Sequence, residues 1–156
     1  MISLLTAVFF TLGIIIGSFL NVVIYRLNTK KSLGGRSACM SCQNKLSWYE
    51  LIPLFSYLGL GGRCRNCKTN ISPQYITVEF VTGLIFAALF LKFQDLLFFS
   101  TPLFFVTYAY YTFAFSILMV IAVYDVKHKI IPDTLALIFG ILAFIGIFFF
   151  SNDTIS

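Results

Sequence analysis

From Ile2 to Tyr25 the chain carries no charged side chain, and Arg26 ends the stretch. At ~1.5 Å per residue a helix of this length crosses the roughly 30 Å of bilayer hydrocarbon. Inside hydrocarbon every backbone polar group must be satisfied internally, which restricts the run to a helix. It is read as the first transmembrane helix. A cleavable signal peptide is the alternative, but such peptides place basic residues before the apolar run, and here they follow it. Composition extends the conclusion to the whole chain. With 59 % hydrophobic residues and 19 Phe in 156, this is an integral membrane protein, because no soluble core of this size hides so many apolar side chains.

Further apolar runs follow. The second spanning helix is expected over residues 76–93, with Lys92, Gln94 and Asp95 forming a short outer turn. Pro102 should then divide an interfacial piece from a third spanning helix at about 103–124. A loop at 125–133 leads to a fourth helix over 133–150 and a polar tail at 151–156. Asp133 is placed to cap that last helix and favour its dipole. The expected fold is therefore an all-α polytopic membrane protein of about four transmembrane helices. Gly13 and Gly17, four apart, suit close helix packing. Asn21 is available for a hydrogen bond within the bundle. Glu79 is either a buried partner for a basic or polar group or a headgroup-region acid, and depth alone favours the second. Tyr108, Tyr110 and Tyr111 suit an interface or a polar lining.

Residues 26–75 differ in composition. Arg26, Lys30, Lys31, Arg36, Lys45, Arg63, Arg65 and Lys68 face one acid, Glu50. The net charge of +5 thus reads as membrane topology and not as a nucleic-acid partner. The positive-inside rule puts this insert in the cytoplasm and the N-terminus outside. The domains expected are a first helix at 1–26, a cytoplasmic insert at 27–75, and helices two to four at 76–156. No internal repeat is evident outside the apolar runs.

The insert contains all four cysteines, as Cys39-Met40-Ser41-Cys42 and Cys64-Arg65-Asn66-Cys67. Two C-x-x-C knuckles supply a closed tetrahedral thiolate shell, the pattern of a structural zinc site. A reducing compartment favours this over its competitors, two disulfides or a redox-active pair. A zinc ion at Cys39, Cys42, Cys64 and Cys67 would also explain how an insert with so few large apolar residues holds a fold. Between the knuckles, residues 46–58 are rich in aromatic and aliphatic side chains. They suit a short helix on the membrane surface broken at Pro53, or packing against the knuckles.

Asp125 closes one apolar run and Asp133 opens the next. A charge near hydrocarbon is costly unless it faces a bundle interior, a wet cavity or a partner, so acids at this depth are functional candidates. Solvated interfacial carboxylates are the alternative.

These motifs meet a known family. Gly17-Ser18-Phe19-Leu20-Asn21-Val22-Val23-Ile24-Tyr25-Arg26, followed by Arg36-Ser37-Ala38-Cys39, closely resembles the opening of bacterial type IV prepilin peptidases. So do Trp48-Tyr49-Glu50-Leu51-Ile52-Pro53, Ser56-Tyr57-Leu58, Gly62-Arg63-Cys64-Arg65-Asn66-Cys67, and Ile71-Ser72 through Tyr75 to Glu79. The segment from Asp125 to Ile131-Pro132-Asp133 resembles that of the family's first catalytic aspartate. Met40 departs from a frequent Pro, and Lys127 from a frequent acid.

The resemblance implies an aspartyl endopeptidase of the bacterial inner or plasma membrane. Such enzymes remove leader peptides from type IV prepilins or pseudopilins at the cytoplasmic face, with Asp125 catalytic. Many members also N-methylate the new terminus with S-adenosylmethionine. An aspartyl dyad needs two carboxylates, one drawing a proton from water while the other donates one. The family's second comes from a Gly-x-Gly-Asp motif, which these 156 residues do not contain. The expectation is the N-terminal portion of such an enzyme, inactive alone. The alternative is a non-catalytic membrane scaffold or substrate-binding half.

Overall fold

The computed structural model describes residues 1–27, 29, 35 and 37–150. Lys30, Lys31, Arg36 and the expected polar tail at 151–156 lie outside the described residues. Four long helices dominate: α1 (Ile2–Arg26), α3 (Gln74–Phe99), α4 (Thr101–His128) and α5 (Asp133–Phe150). Between α1 and α3 sit a 3₁₀ turn, Trp48–Leu51, and a short helix, α2 (Phe55–Gly59). The helices α1, α3 and α4 are long and apolar enough to cross a membrane. The fourth, α5, is equally apolar but has 18 residues, a reach of about 27 Å.

The first and third helices pack along a seam of small residues. A Cβ added at Gly13 would lie 2.7 Å from Phe86 Cβ, and one at Gly17 2.8 Å from Glu79 Cα. Gly83 faces back from α3, where a Cβ would meet Ile14 and Phe10 at 2.9 Å. The expected packing role of Gly13 and Gly17 is therefore met, with Gly83 completing the seam. One core cluster gathers Phe86, Leu89, Phe90, Phe93, Phe104 and Tyr108; a second gathers Leu20, Ile24, Val78 and Val120. Phe9 stacks on Phe90 at 4.6 Å, joining α1 to the first cluster.

Three expectations change. The outer turn at Lys92–Asp95 is helix: α3 runs on to Phe99 and the chain reverses at Ser100, which is extended at φ −153°. Lys and Gln are good helix formers, and charge alone does not end a helix. No separate interfacial piece precedes the third long helix, because Pro102 lies in the first turn of α4, where its missing N–H costs nothing. Helix α4 likewise continues past Tyr124 to His128 and ends with Lys129 in the left-handed region, whose N–H returns to the Asp125 carbonyl at 2.7 Å. At α5 the Pro132 carbonyl accepts the N–H groups of Leu135 and Ala136. Asp133 sits in the first turn of that helix, favourable to its dipole.

The tyrosines of α4 are not a polar lining. Tyr108 is buried and donates to the Phe86 carbonyl at 3.0 Å; Tyr110 donates to the Leu142 carbonyl at 2.7 Å. Tyr111 stacks on Phe93 at 5.0 Å. A phenol among apolar helices needs an acceptor, and a helical carbonyl has a lone pair to spare.

Candidate functional site: a four-cysteine centre beside the membrane bundle

Each C-x-x-C segment folds as a tight turn closed by backbone hydrogen bonds. In the first, Gln43 N–H donates to Cys39 O at 3.0 Å and Cys39 N–H to Asn44 O at 3.0 Å; in the second, Lys68 N–H donates to Cys64 O and Cys64 N–H to Thr69 O. Gln43 and Lys68 are both left-handed, at φ 57° and 59°. The bridges Ala38 to Lys45 and Arg63 to Asn70 match as well, as do the bonds Leu46 N–H to Ser37 O and Ile71 N–H to Gly62 O. Every partner in the first turn thus has its equivalent 25 positions later. The insert is built from two copies of one knuckle, which corrects the expectation of no repeat. The signal was present in Cys39-Met40-Ser41-Cys42-Gln43-Asn44-Lys45-Leu46-Ser47 against Cys64-Arg65-Asn66-Cys67-Lys68-Thr69-Asn70-Ile71-Ser72, but only four residue types coincide or nearly so.

The two turns bring the four sulfurs together. All lie within 4.8 Å of one another, and Cys39 Sγ is 3.7 Å from Cys67 Sγ. A tetrahedron with metal–sulfur bonds of about 2.3 Å has sulfur–sulfur edges of about 3.8 Å. Donor type, number and spacing therefore fit one metal ion such as zinc. Cys64 is buried, Cys39 half-buried, and Cys42 and Cys67 are exposed.

Without metal the four thiols compete for ionisation. Cys67 is lowered to about 6, chiefly by the side chain and backbone of Thr69. The Cys39 thiol is also lowered, by the backbone N–H groups of Cys42 and Ser41. Cys42 is pushed up to about 11: the Asn44 backbone favours its thiolate, but desolvation and the neighbouring sulfurs outweigh that. A bound cation would supply the charge that lets all four ionise.

Two polar residues of the bundle face this insert. Asn21, buried on α1, donates from Nδ2 to the Tyr75 carbonyl at 3.0 Å, which fastens the start of α3 to the end of α1. Glu79 is also buried and accepts the Leu54 N–H at 2.8 Å. Glu79 therefore does not lie free in the headgroup region, since the polypeptide between the knuckles folds back over it. Asp125 is half-buried in the last turn of α4. Lys127, two residues on, places Nζ 4.6 Å from the Tyr25 ring centroid, which brings this turn to the end of α1 from which the insert departs.

Comparison with known proteins bears on this arrangement. A sequence model described as the Bacterial Peptidase A24 N-terminal domain matches residues 11–93, just over half of the chain. The chain belongs to this family. The matched part of the A24 N-terminal domain runs from the Gly13–Gly17 seam through both knuckles to Phe93. The chain is also similar to curated proteins named prepilin leader peptidase/N-methyltransferase. That of Myxococcus xanthus (strain DK1622) is 50 % identical over 91 residues, covering 57 % of this chain and 27 % of that protein. The Pectobacterium carotovorum subsp. carotovorum protein is 35 % identical over 148 residues, 81 % of this chain and 50 % of its own length. That of Bacillus subtilis (strain 168) is 31 % identical over 134 residues, with 85 % and 50 % covered. The chain spans between about a quarter and half of these relatives. No solved structure matches it.

Within this A24 N-terminal domain, the structure gathers Cys39, Cys42, Cys64 and Cys67 at one point. It sets Asp125 apart from them, on α4. Sequence reasoning anticipated a hydrogen bond at Asn21 and allowed a buried partner for Glu79, but did not identify the Tyr75 carbonyl and the Leu54 N–H as those partners. The only signal of these bonds was two polar residues close to the ends of otherwise apolar runs.

Proposed function

We propose that this chain supplies the metal-binding domain and the first catalytic aspartate of an inner-membrane aspartyl endopeptidase that removes leader peptides from type IV prepilins or pseudopilins. The observation that carries the reading is membership of the A24 N-terminal domain family, together with similarity across most of the chain to proteins named prepilin leader peptidase/N-methyltransferase. In this reading residues 1–26 form the first span, 27–75 the zinc domain, and 76–156 the later helices and the start of the peptidase domain. Cys39, Cys42, Cys64 and Cys67 hold one structural zinc ion, which cross-links the two knuckles. The excess of Lys and Arg in the insert supports a cytoplasmic location for it, and Asp125 ends α4 at the same end of the bundle.

Asp125 acts as one half of a carboxylate pair, activating water or donating a proton to the scissile carbonyl. Its partner comes from outside these residues. Asp95 lies towards the far end of α3, and Glu79 is already engaged by Leu54. Methyl transfer, and with it S-adenosylmethionine, rests on the relatives' names and the motif resemblance. The test is maturation of a type IV prepilin in a bacterium whose own processing enzyme is deleted, using the full-length protein that carries this sequence. Asp125→Asn abolishes leader removal and Asp133→Asn retains it; undiminished cleavage by Asp125→Asn overturns the assignment.

The second reading is a non-catalytic scaffold or substrate-binding half, favoured by the lack of a Gly-x-Gly-Asp segment among these residues. Leader cleavage by the purified 156-residue chain would refute it.

A further inference from the structure

Between the knuckles the chain leaves Leu51, Ile52, Phe55 and Leu58 in the open, with Phe55 75 % and Leu58 67 % exposed. Leu51 ends the 3₁₀ turn and Phe55 and Leu58 lie three apart on α2, so these side chains form one apolar stripe across two short elements joined at Leu54. A domain facing only water has no reason to present such a stripe beside a core this small.

Two features show what covers it. A groove of about 420 Å³ runs between α2 and the start of α3, lined by Leu54, Leu58, Ile76, Thr77, Phe80 and Val81. Its α3 wall continues into exposed Phe80 and Leu84, on a helix long and apolar enough to span the membrane. The groove is thus continuous with the exposed apolar surface of a helix fit to cross the bilayer. The second feature is the Leu54 N–H held by the buried Glu79 carboxylate at 2.8 Å, with Leu54 itself at φ 59°. This fixes the stripe beside the first turns of α3. The exposed bases Lys45, Arg63, Arg65 and Lys68 of the same insert suit anionic headgroups.

We propose that residues 51–58 form an interfacial anchor seated in the bilayer that the chain itself spans, with Phe55 and Leu58 among the acyl chains and lipid filling the groove beside α3. The inference goes beyond the peptidase reading and is independent of it, requiring only that α3 crosses the membrane. Its partner is a lipid surface. An anchor of this kind fixes the height of the four-cysteine domain above the membrane.

The experiment uses the full 156-residue chain in phosphatidylethanolamine–phosphatidylglycerol vesicles. Trp48 is the sole tryptophan, so Trp48→Phe combined with Phe55→Trp leaves one indole in the stripe, and Trp48→Phe with Leu58→Trp provides an independent second probe. Lipids carrying a nitroxide near the headgroup end of the acyl chain should lower emission by about two-fold or more, with little quenching by aqueous iodide. Full access to iodide without lipid quenching overturns the proposal, because the stripe is then in water. Protection from both quenchers also overturns it, because protein, such as a second copy of the chain, then covers the stripe.

Discussion

The Glu79 carboxylate accepts the backbone N–H of Leu54 at 2.8 Å, across 25 positions of sequence. A buried acid on a spanning helix thereby holds the polypeptide that links the two knuckles. Removing the acceptor leaves the part-buried Leu54 N–H without its partner, at a cost of about 1–3 kcal/mol. Glu79→Ala should lower stability by that order, while Glu79→Gln, which keeps an acceptor oxygen, should lose less. Thermal unfolding in detergent, combined with protease nicking between residues 51 and 58, reads both effects. Equal behaviour of the two variants would sink the assignment.

The seam between α1 and α3 gives a sharper contrast. A Cβ at Gly17 would lie 2.8 Å from Glu79 Cα, a backbone atom with no freedom to rotate away. Gly17→Ala should therefore force the helices apart at a cost of about 1–3 kcal/mol. A Cβ at Gly140 meets nothing within 4 Å. Gly140→Ala should be neutral or stabilising by up to about 1 kcal/mol through helix propensity. Melting temperatures of the two variants in one detergent decide the matter; equal shifts would show that the seam is looser than its geometry implies.

The legible parts of this protein were those governed by bulk solvation or by donor count. Uncharged runs specify helices because hydrocarbon leaves the backbone no alternative, and two C-x-x-C pairs specify a four-sulfur cluster because each turn presents two thiols. The ends of α3 and α4 were not legible. Lys92, Gln94 and Asp95 look like a turn by polarity, yet only Ser100 and Pro102 supply the backbone geometry that reverses the chain. The burial of Glu79 was hidden for a different reason. Depth in a helix says nothing about a loop folding back from 25 residues away, and Leu54, a β-unbranched residue at positive φ, gives no sequence sign of that fold. The repeat of the knuckles was partly legible, but its clearest form lies in matching hydrogen bonds and left-handed residues, not in matching side chains.

The thiol centre makes a prediction about metal and pH together. In metal-free protein Cys67 is lowered to about 6 and Cys42 is raised to about 11. At pH 7 the first is mostly thiolate and the second mostly thiol. Alkylation by iodoacetamide should therefore begin at Cys67, fall off as pH drops through about 6 because the thiolate is then protonated, and reach Cys42 last. One equivalent of zinc should suppress reaction at all four cysteines and release protons as it binds. Mass spectrometry of alkylated peptides follows the order. Zinc that protects only one knuckle would contradict a shared site.

Asp125 rides on the turn in which Lys127 sets Nζ 4.6 Å from the Tyr25 ring centroid. The contact joins the last turn of α4 to the last turn of α1, and His128 adds a second ring contact, 4.5 Å from the Tyr124 ring, within the same turn. A cation over an aromatic face at an exposed site contributes about 0.5–1 kcal/mol. Lys127→Ala should lose that amount, and Tyr25→Phe should lose little because the ring face remains. In a double-mutant cycle with Tyr25→Leu, the coupling should be of the same size, since each single change removes the same interaction. Lys127→Arg preserves a cation and should restore most of it. If the lysine and tyrosine changes add without coupling, the end of α4 is held by apolar packing such as that of Val120 and Ile24, and the placement of Asp125 owes nothing to the charge beside it.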